Sequence, residues 1–256
     1  MPDDAFQPNT TTNRFARVIR QCASRYLDDA MTIFDIGTGT GPLAIYCAAE
    51  AKALGKTPEI HGVDPVGINI CAAEQNARIH GLHNVYFHRG EYFEPLEDRK
   101  ADLIIGDISG VADGVGWALG WYKRGIVPGG GYDGTDKLVA LVTQARSRLS
   151  EGGMLIFAVA ANISASHKVV AAAHESFARI DLVTEADFPI MADEFDRIVA
   201  EYNGVLPSFL TLDCVRGKRW SYSWHGTIHT AREPILTASP RATEPARANV
   251  PVAARW

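Results

Sequence analysis

Residues 31–42 read Met31-Thr32-Ile33-Phe34-Asp35-Ile36-Gly37-Thr38-Gly39-Thr40-Gly41-Pro42. A β-branched and aromatic run ends in an acid, followed by three glycines at alternate positions and a proline. The run predicts a buried strand over 31–36, and proline at the start of the next segment predicts a helix over 41–54. A glycine turn between strand and helix lets backbone N–H groups and a helix N-terminus approach a ligand closely, which a bulky side chain would prevent. A dinucleotide fingerprint would place its third glycine at position 42, which here is Pro42. The glycine falls one residue earlier, giving GxGxG, so the ligand expected is not a pyrophosphate.

Working outward, further apolar runs alternate with helix-like stretches, the pattern of parallel strands joined by crossover helices. Strands are expected at 59–64, 84–89, 101–106 and 153–159, and helices at 66–81 and 136–150. The last of these closes on Glu151-Gly152-Gly153, a glycine helix stop. Beyond residue 160, helices are expected over 166–178 and 190–203 and strands over 179–188 and 219–230. Residues 231–256, rich in Pro, Ala and Arg without apolar period, read as a flexible C-terminal tail. Residues 1–30 read as a helical lead-in, and 31–230 as the one folded domain.

The second strand ends in Asp64, where an ionised carboxylate can accept hydrogen bonds from both ribose hydroxyls of a nucleoside. Asp35 ends the first strand. Two carboxylates beside a short glycine turn suit a ligand carrying sulfonium and ammonium charges better than one carrying phosphates. Either motif alone reads equally as a tight turn with solvated acids; the pair on adjacent strands favours the ligand.

The segments Asp35-Ile-Gly-Thr-Gly-Thr-Gly41 and His61-Gly-Val-Asp-Pro65 resemble motifs I and II of the class I S-adenosylmethionine methyltransferases. Arg89-Gly-Glu-Tyr-Phe-Glu-Pro-Leu96 is similar to the GDLFEPL segment of the protein-glutamine N5-methyltransferases that modify release factors, and Gly130-Gly-Tyr-Asp-Gly-Thr-Asp136 to their GGxDGxD stretch. The resemblance covers residues 31–160. It implies a Rossmann-like α/β fold with a mostly parallel seven-stranded sheet and helices on both faces, and S-adenosyl-L-methionine as cofactor. It places Gly37, Gly39 and Gly41 against the methionine portion, Asp64 at the ribose and Glu91 at the adenine amino group, with Asp35, Thr38, Pro65 and Tyr92 among the cofactor-binding residues.

The fourth strand departs from that family. Where the family has Asn- or Asp-Pro-Pro-Tyr, this chain has Asp107-Ile108-Ser109-Gly110, keeping the acid and losing both prolines and the tyrosine. Residues 1–30 are also too few for the family's N-terminal recognition domain. Asp107 is the expected catalytic residue, orienting or deprotonating the methyl acceptor, with Ser109 second. The glycine-rich connection 110–134 reads as a lid. Within it Trp117 and Trp121, four apart and so expected on one helical face, adjoin Tyr122, Lys123 and Arg124; the aromatics are expected to wall the substrate pocket or to pack the loop on the core. His225 and His229 lie four apart on the last strand without a third ligand, so no metal is expected.

The whole chain has 256 residues, 46% hydrophobic and 21% charged, enough to bury one core. Its net charge of −5 offers no basic field to nucleic acid. The cysteines, Cys22, Cys47, Cys71 and Cys214, form no CxxC pair, and no apolar run of about eighteen residues or signal peptide is present, so a cytoplasmic protein without membrane contact is expected. The expected function is methyl transfer to N or O of a small-molecule substrate, in specialised metabolism. The alternatives are a protein or RNA methyltransferase and a non-catalytic nucleotide-binding module; a homodimer is left open.

Overall fold

The computed structural model describes residues 6–22, 26–122, 129–215 and 219–230. The expected tail 231–256, and Lys123 and Arg124, lie outside the described residues. The strands are β1 (Thr32–Ile36), β2 (Glu59–Asp64), β3 (Val85–Arg89), β4 (Ala101–Gly106), β5 (Leu149–Ala161), β6 (Arg179–Ile190), β7 (Asp213–Val215) and β8 (Arg219–Thr230). They join in the order β3-β2-β1-β4-β5-β8-β6, with β7 added on β8. β3 to β5 run parallel, and β8 runs antiparallel between β5 and β6. Seven strands form the expected sheet. The eighth, β7, was not anticipated, because three residues carry no readable period.

The helices are α1 (Thr10–Cys22), α2 (Pro42–Ala53), α3 (Gly67–Ile79), α4 (Asp113–Ala118), α5 (Asp136–Arg148), α6 (Ser166–Ser176) and α7 (Ala192–Glu201). Strand alternation sends Ile33, Ile60, Leu103, Ile105 and Ile156 to one face, where α1 and α2 cover them with Phe15, Val18, Ile19, Leu43 and Cys47. Phe34, Val63, Ile104, Leu155 and Phe157 point to the other, under Leu138, Leu141 and Val142 of α5 and Val169 and Ala173 of α6. Both faces of the inner strands β1, β4 and β5 are therefore covered, which is why those strands read as apolar runs. A third cluster, Val115 and Leu119 with Ile163, Ile190 and Ile198, seats α7 on α4.

Three boundaries shift for local reasons. α5 stops at Arg148 and β5 begins at Leu149, since Leu149 already pairs with Ala101 ahead of a register shift in β4. α2 starts at Pro42, directly after Gly41 at φ 83°. α4 ends at Ala118, and Gly120 turns the chain at φ 70°, so Trp121 leaves the helix. The expected shared face of Trp117 and Trp121 is thus broken: four residues apart meant one face only if the helix continued.

Candidate active site

β1 and β2 are in register through Ile36 and Val63, which brings the two strand-end acids to one edge of the sheet. The chain leaving β1 is pinned there by Gly37 and Thr38, whose N–H groups both donate to the Val63 carbonyl at 2.8 and 2.9 Å. Asp35 turns beneath the loop, where its Oδ2 accepts from the Thr38 hydroxyl at 2.7 Å and from the Ala44 N–H at 3.0 Å. Its Oδ1 is buried with no hydrogen-bond partner among the described residues. Burial raises the Asp35 carboxyl to about 7, against the pull of those two bonds, and the negative charges of Asp107 and Asp64 add to the rise. A buried acid with an oxygen to spare fits a ligand that brings positive charge, which would hold it ionised.

Asp64 ties the same loop from the other side. Its Oδ2 accepts the Gly39 N–H at 3.0 Å, and its Oδ1 accepts the Val66 N–H at 2.9 Å and the Asn69 side-chain amide at 3.1 Å. A carboxylate offers about four acceptor positions, so roughly one is left for a ribose hydroxyl. Gly39 (φ 55°) and Gly41 (φ 83°) hold left-handed backbone that a side chain would strain. They are also crowded: a Cβ at Gly41 would lie 2.9 Å from the Phe87 ring, and one at Gly39 would lie 2.7 Å from the ring of Phe6. At Gly37 the neighbour is Ile108, at 2.3 Å from such a Cβ. The loop glycines therefore admit protein side chains from three directions.

Where the resemblance expects the adenine, Pro65 and Glu91 are exposed and Tyr92 is half-buried at φ 47°. The Pro65 carbonyl accepts from Arg89 Nε at 3.3 Å, and the Gly90 N–H donates to the Asp64 carbonyl at 3.2 Å, closing β3 onto β2. Burial, with Glu91 and Asp136 nearby, raises the Tyr92 hydroxyl. Glu91 thus stands at the rim of the crevice.

At the end of β4, burial pushes Asp107 up to about 6, while a hydrogen bond from the Thr12 hydroxyl to its Oδ2, at 3.0 Å, pulls the other way. Two residues on, the Ser109 and Tyr122 hydroxyls meet at 3.0 Å. Sequence separation hid this pairing of an expected catalytic residue with an expected substrate residue. Burial raises Tyr122, with the charges of Asp113 and Asp107 contributing. Trp117 is half-buried on α4, whereas Trp121, at 44% exposure, stands at the surface. The described parts of the 110–134 connection are tied down: Asp113 N–H donates to Gly131 O and Asp136 N–H to Gly130 O, each at 3.0 Å.

Two contributors lie outside every motif read from the sequence. Phe6 rests on the glycine loop, its N–H donating to Asn69 Oδ1 at 3.0 Å and its carbonyl accepting the Thr40 hydroxyl at 3.1 Å. Thr12 reaches Asp107 from α1 across the sheet. The only signal for Thr12 is a polar residue on the apolar stripe that continues through Phe15, Val18 and Ile19.

A family model described as a methyltransferase domain matches residues 27–202. A release factor glutamine methyltransferase of Geobacter sulfurreducens is 34% identical over 143 residues, covering 54% of this chain and 49% of the relative. Its counterpart in Aliivibrio fischeri is 33% identical over 90 residues, 35% of this chain and 30% of the relative. The chain spans about half or less of the length of these curated relatives. Among solved structures, the ribosomal protein L11 methylase of Lactobacillus delbrueckii subsp. bulgaricus superposes with a TM-score of 0.54 at 20% identity, over 91% of this chain and 83% of that one. This likeness shows the fold. Among the described residues no helix is long and apolar enough to cross a membrane.

Proposed function

The chain belongs to this methyltransferase-domain family, and from that premise we propose that it uses S-adenosyl-L-methionine to methylate a nitrogen or oxygen of a small molecule. The cofactor supplies an electrophilic methyl group on a sulfonium. Asp35 is assigned to the positive charge beside the glycine loop, Gly37, Thr38, Gly39 and Gly41 to the methionine portion, Asp64 and Pro65 to the ribose, and Glu91 and Tyr92 to the adenine rim. Residues 31–230 form the catalytic domain in this reading, with 1–30 as its lead-in.

The observation that carries the acceptor assignment is Asp107, a half-buried carboxylate just past the end of β4, desolvated enough for its pKa to be raised, beside the glycine loop on which Ile108 packs. An ionised carboxylate only accepts hydrogen bonds, so it favours an acceptor with N–H, O–H or positive charge over a plain amide. With its pKa near 6 it is ionised at neutral pH and basic enough to take a proton as the nucleophile attacks. Ser109 and Tyr122 form a neutral hydroxyl pair next to it, and Trp117 and Trp121 are assigned to the pocket wall. Asp107 is half-buried, which supports a slender acceptor over a broad flat surface.

A second reading, a polypeptide side chain as acceptor, is favoured by the relatives named as release factor glutamine methyltransferases. The two are separated by incubating the protein with methyl-labelled cofactor and a cell extract split by size. Label in the small-molecule fraction supports the first reading; label confined to protein replaces it with the second.

A further inference from the structure

We propose that Thr12 is a positioning residue for Asp107, delivered by an N-terminal segment that lies ahead of the residues the family model matches. The match begins at residue 27, whereas the contact comes from the start of α1. The inference rests on the assignment of Asp107 to the acceptor side.

The local sequence builds the contact. Asn9 Oδ1 accepts the N–H of Thr11 at 2.8 Å and of Thr12 at 3.2 Å, which satisfies donors of the first turn and fixes where α1 begins. Thr12 then stands one turn before Phe15 on the stripe that Val18 and Ile19 continue, all buried against the sheet. An apolar residue would be expected at that position. Threonine is there instead, 3% exposed, with its hydroxyl on Asp107. The segment ahead of the helix is clasped at Phe6 by Asn69 and Thr40, so the start of α1 is held at both ends against the same crevice. With Oδ2 engaged by Thr12, the carboxylate has one orientation, and Oδ1 is the oxygen given to the acceptor.

The bond also favours the ionised carboxylate in a buried place where ionisation is costly. The other groups facing Asp107 are the Asp35 carboxyl and the Tyr122 hydroxyl, both of which the Asp107 charge raises. Thr12 is the donor among them that works against burial.

The test is titration of the Asp107 carboxyl carbon by NMR in the full chain labelled at aspartate, with Asp107→Asn supplying the assignment. Thr12→Val keeps the shape and removes the donor, so the Asp107 titration should move upward by about one pH unit, the order of a hydrogen bond to a charged group. Thr12→Ser should return it. S-adenosylhomocysteine binding should be nearly unchanged in both variants, which separates an effect on Asp107 from general loosening of the crevice. An Asp107 titration unmoved in Thr12→Val overturns the proposal, and so does a shift that Thr12→Ser fails to reverse. Loss of the acceptor role of Asp107 would show differently, as unimpaired transfer by Asp107→Asn while the Thr12→Val shift persists.

Discussion

Gly39 donates its backbone N–H to Oδ2 of Asp64 at 3.0 Å, so the glycine loop after β1 and the acid ending β2 are one hydrogen-bonded unit before any ligand arrives. The same carboxylate also holds Val66 and Asn69 at the head of α3. Asp64 is therefore both a ligand contact in the proposed function and the knot of the crevice.

Asp64→Ala should cost stability as well as affinity. Three donors lose their acceptor, and even with water entering, the loss should be about 2–4 kcal/mol in unfolding free energy. Binding of S-adenosylhomocysteine should weaken by about 1.5–3 kcal/mol, the usual worth of hydrogen bonds to a charged group. Denaturant melts and calorimetry on the same preparations measure both; an unchanged melt would show that the three bonds do not hold the loop.

The Asp35 carboxyl makes stability depend on pH in an unusual direction. Its folded-state value, about 7, lies above its unfolded value, so the native state holds the proton more tightly. The stability this contributes is fully present below about pH 4, and is lost as pH rises through about 7. Asp107, raised to about 6, acts in the same sense. Asp35→Asn should flatten the decline between those limits. A cation bound beside Asp35 should also expel its proton, so near pH 6.5 the binding heat of S-adenosylmethionine should vary with buffer ionisation enthalpy in the wild type and not in Asp35→Asn. Equal slopes for the two proteins in both experiments would remove Asp35 as the titrating group.

What the sequence could disclose follows from what burial does to a pattern. Strands β1 and β4 were readable because covering on both faces demands apolar runs such as Ile33-Phe34 and Leu103-Ile104-Ile105, and the loop because Gly39 and Gly41 need left-handed backbone. The contacts that join distant segments were not readable. Ser109 with Tyr122 depends on α4 stopping at Ala118, and Thr12 with Asp107 spans 95 positions without a shared motif. The Trp117–Trp121 expectation failed for the same reason, since spacing predicts a shared face only while the helix persists. Phe6 on Gly39 was hidden because close approach to a glycine leaves no mark on the residue that approaches.

The sheet topology sets where the chain can be cut. β8 lies between β5 and β6 and pairs with both, so it is interior although it is the last strand among the described residues. Truncation after Thr230 should leave a soluble protein that binds S-adenosylhomocysteine, because the residues removed have no apolar period. Truncation before Arg219 removes β8, strips the pairing edge of β5 and leaves β6 without a neighbour, and should give insoluble protein. Circular dichroism and binding on the two truncations decide the matter; loss of binding after the shorter cut would mean that residues 231–256 contribute to the fold.

Asp107→Asn separates charge from shape at the acceptor end. The amide can still receive the Thr12 hydroxyl on its oxygen, so α1 should stay docked and S-adenosylhomocysteine affinity should change little. It cannot take a proton from the nucleophile. With a substrate whose nucleophile must lose a proton, turnover should fall by about 10²–10⁴-fold, the usual contribution of a general base. The wild-type rate should drop on the acid side as Asp107 protonates near pH 6, and the variant should lack that limb. Because Asp35 titrates nearby at about 7, Asp35→Asn is the control: its acid limb should remain, since the group that titrates near 6 is still present. An Asp107→Asn protein with wild-type turnover and an intact acid limb would take Asp107 out of the reaction and leave the Ser109–Tyr122 pair as the group nearest the acceptor.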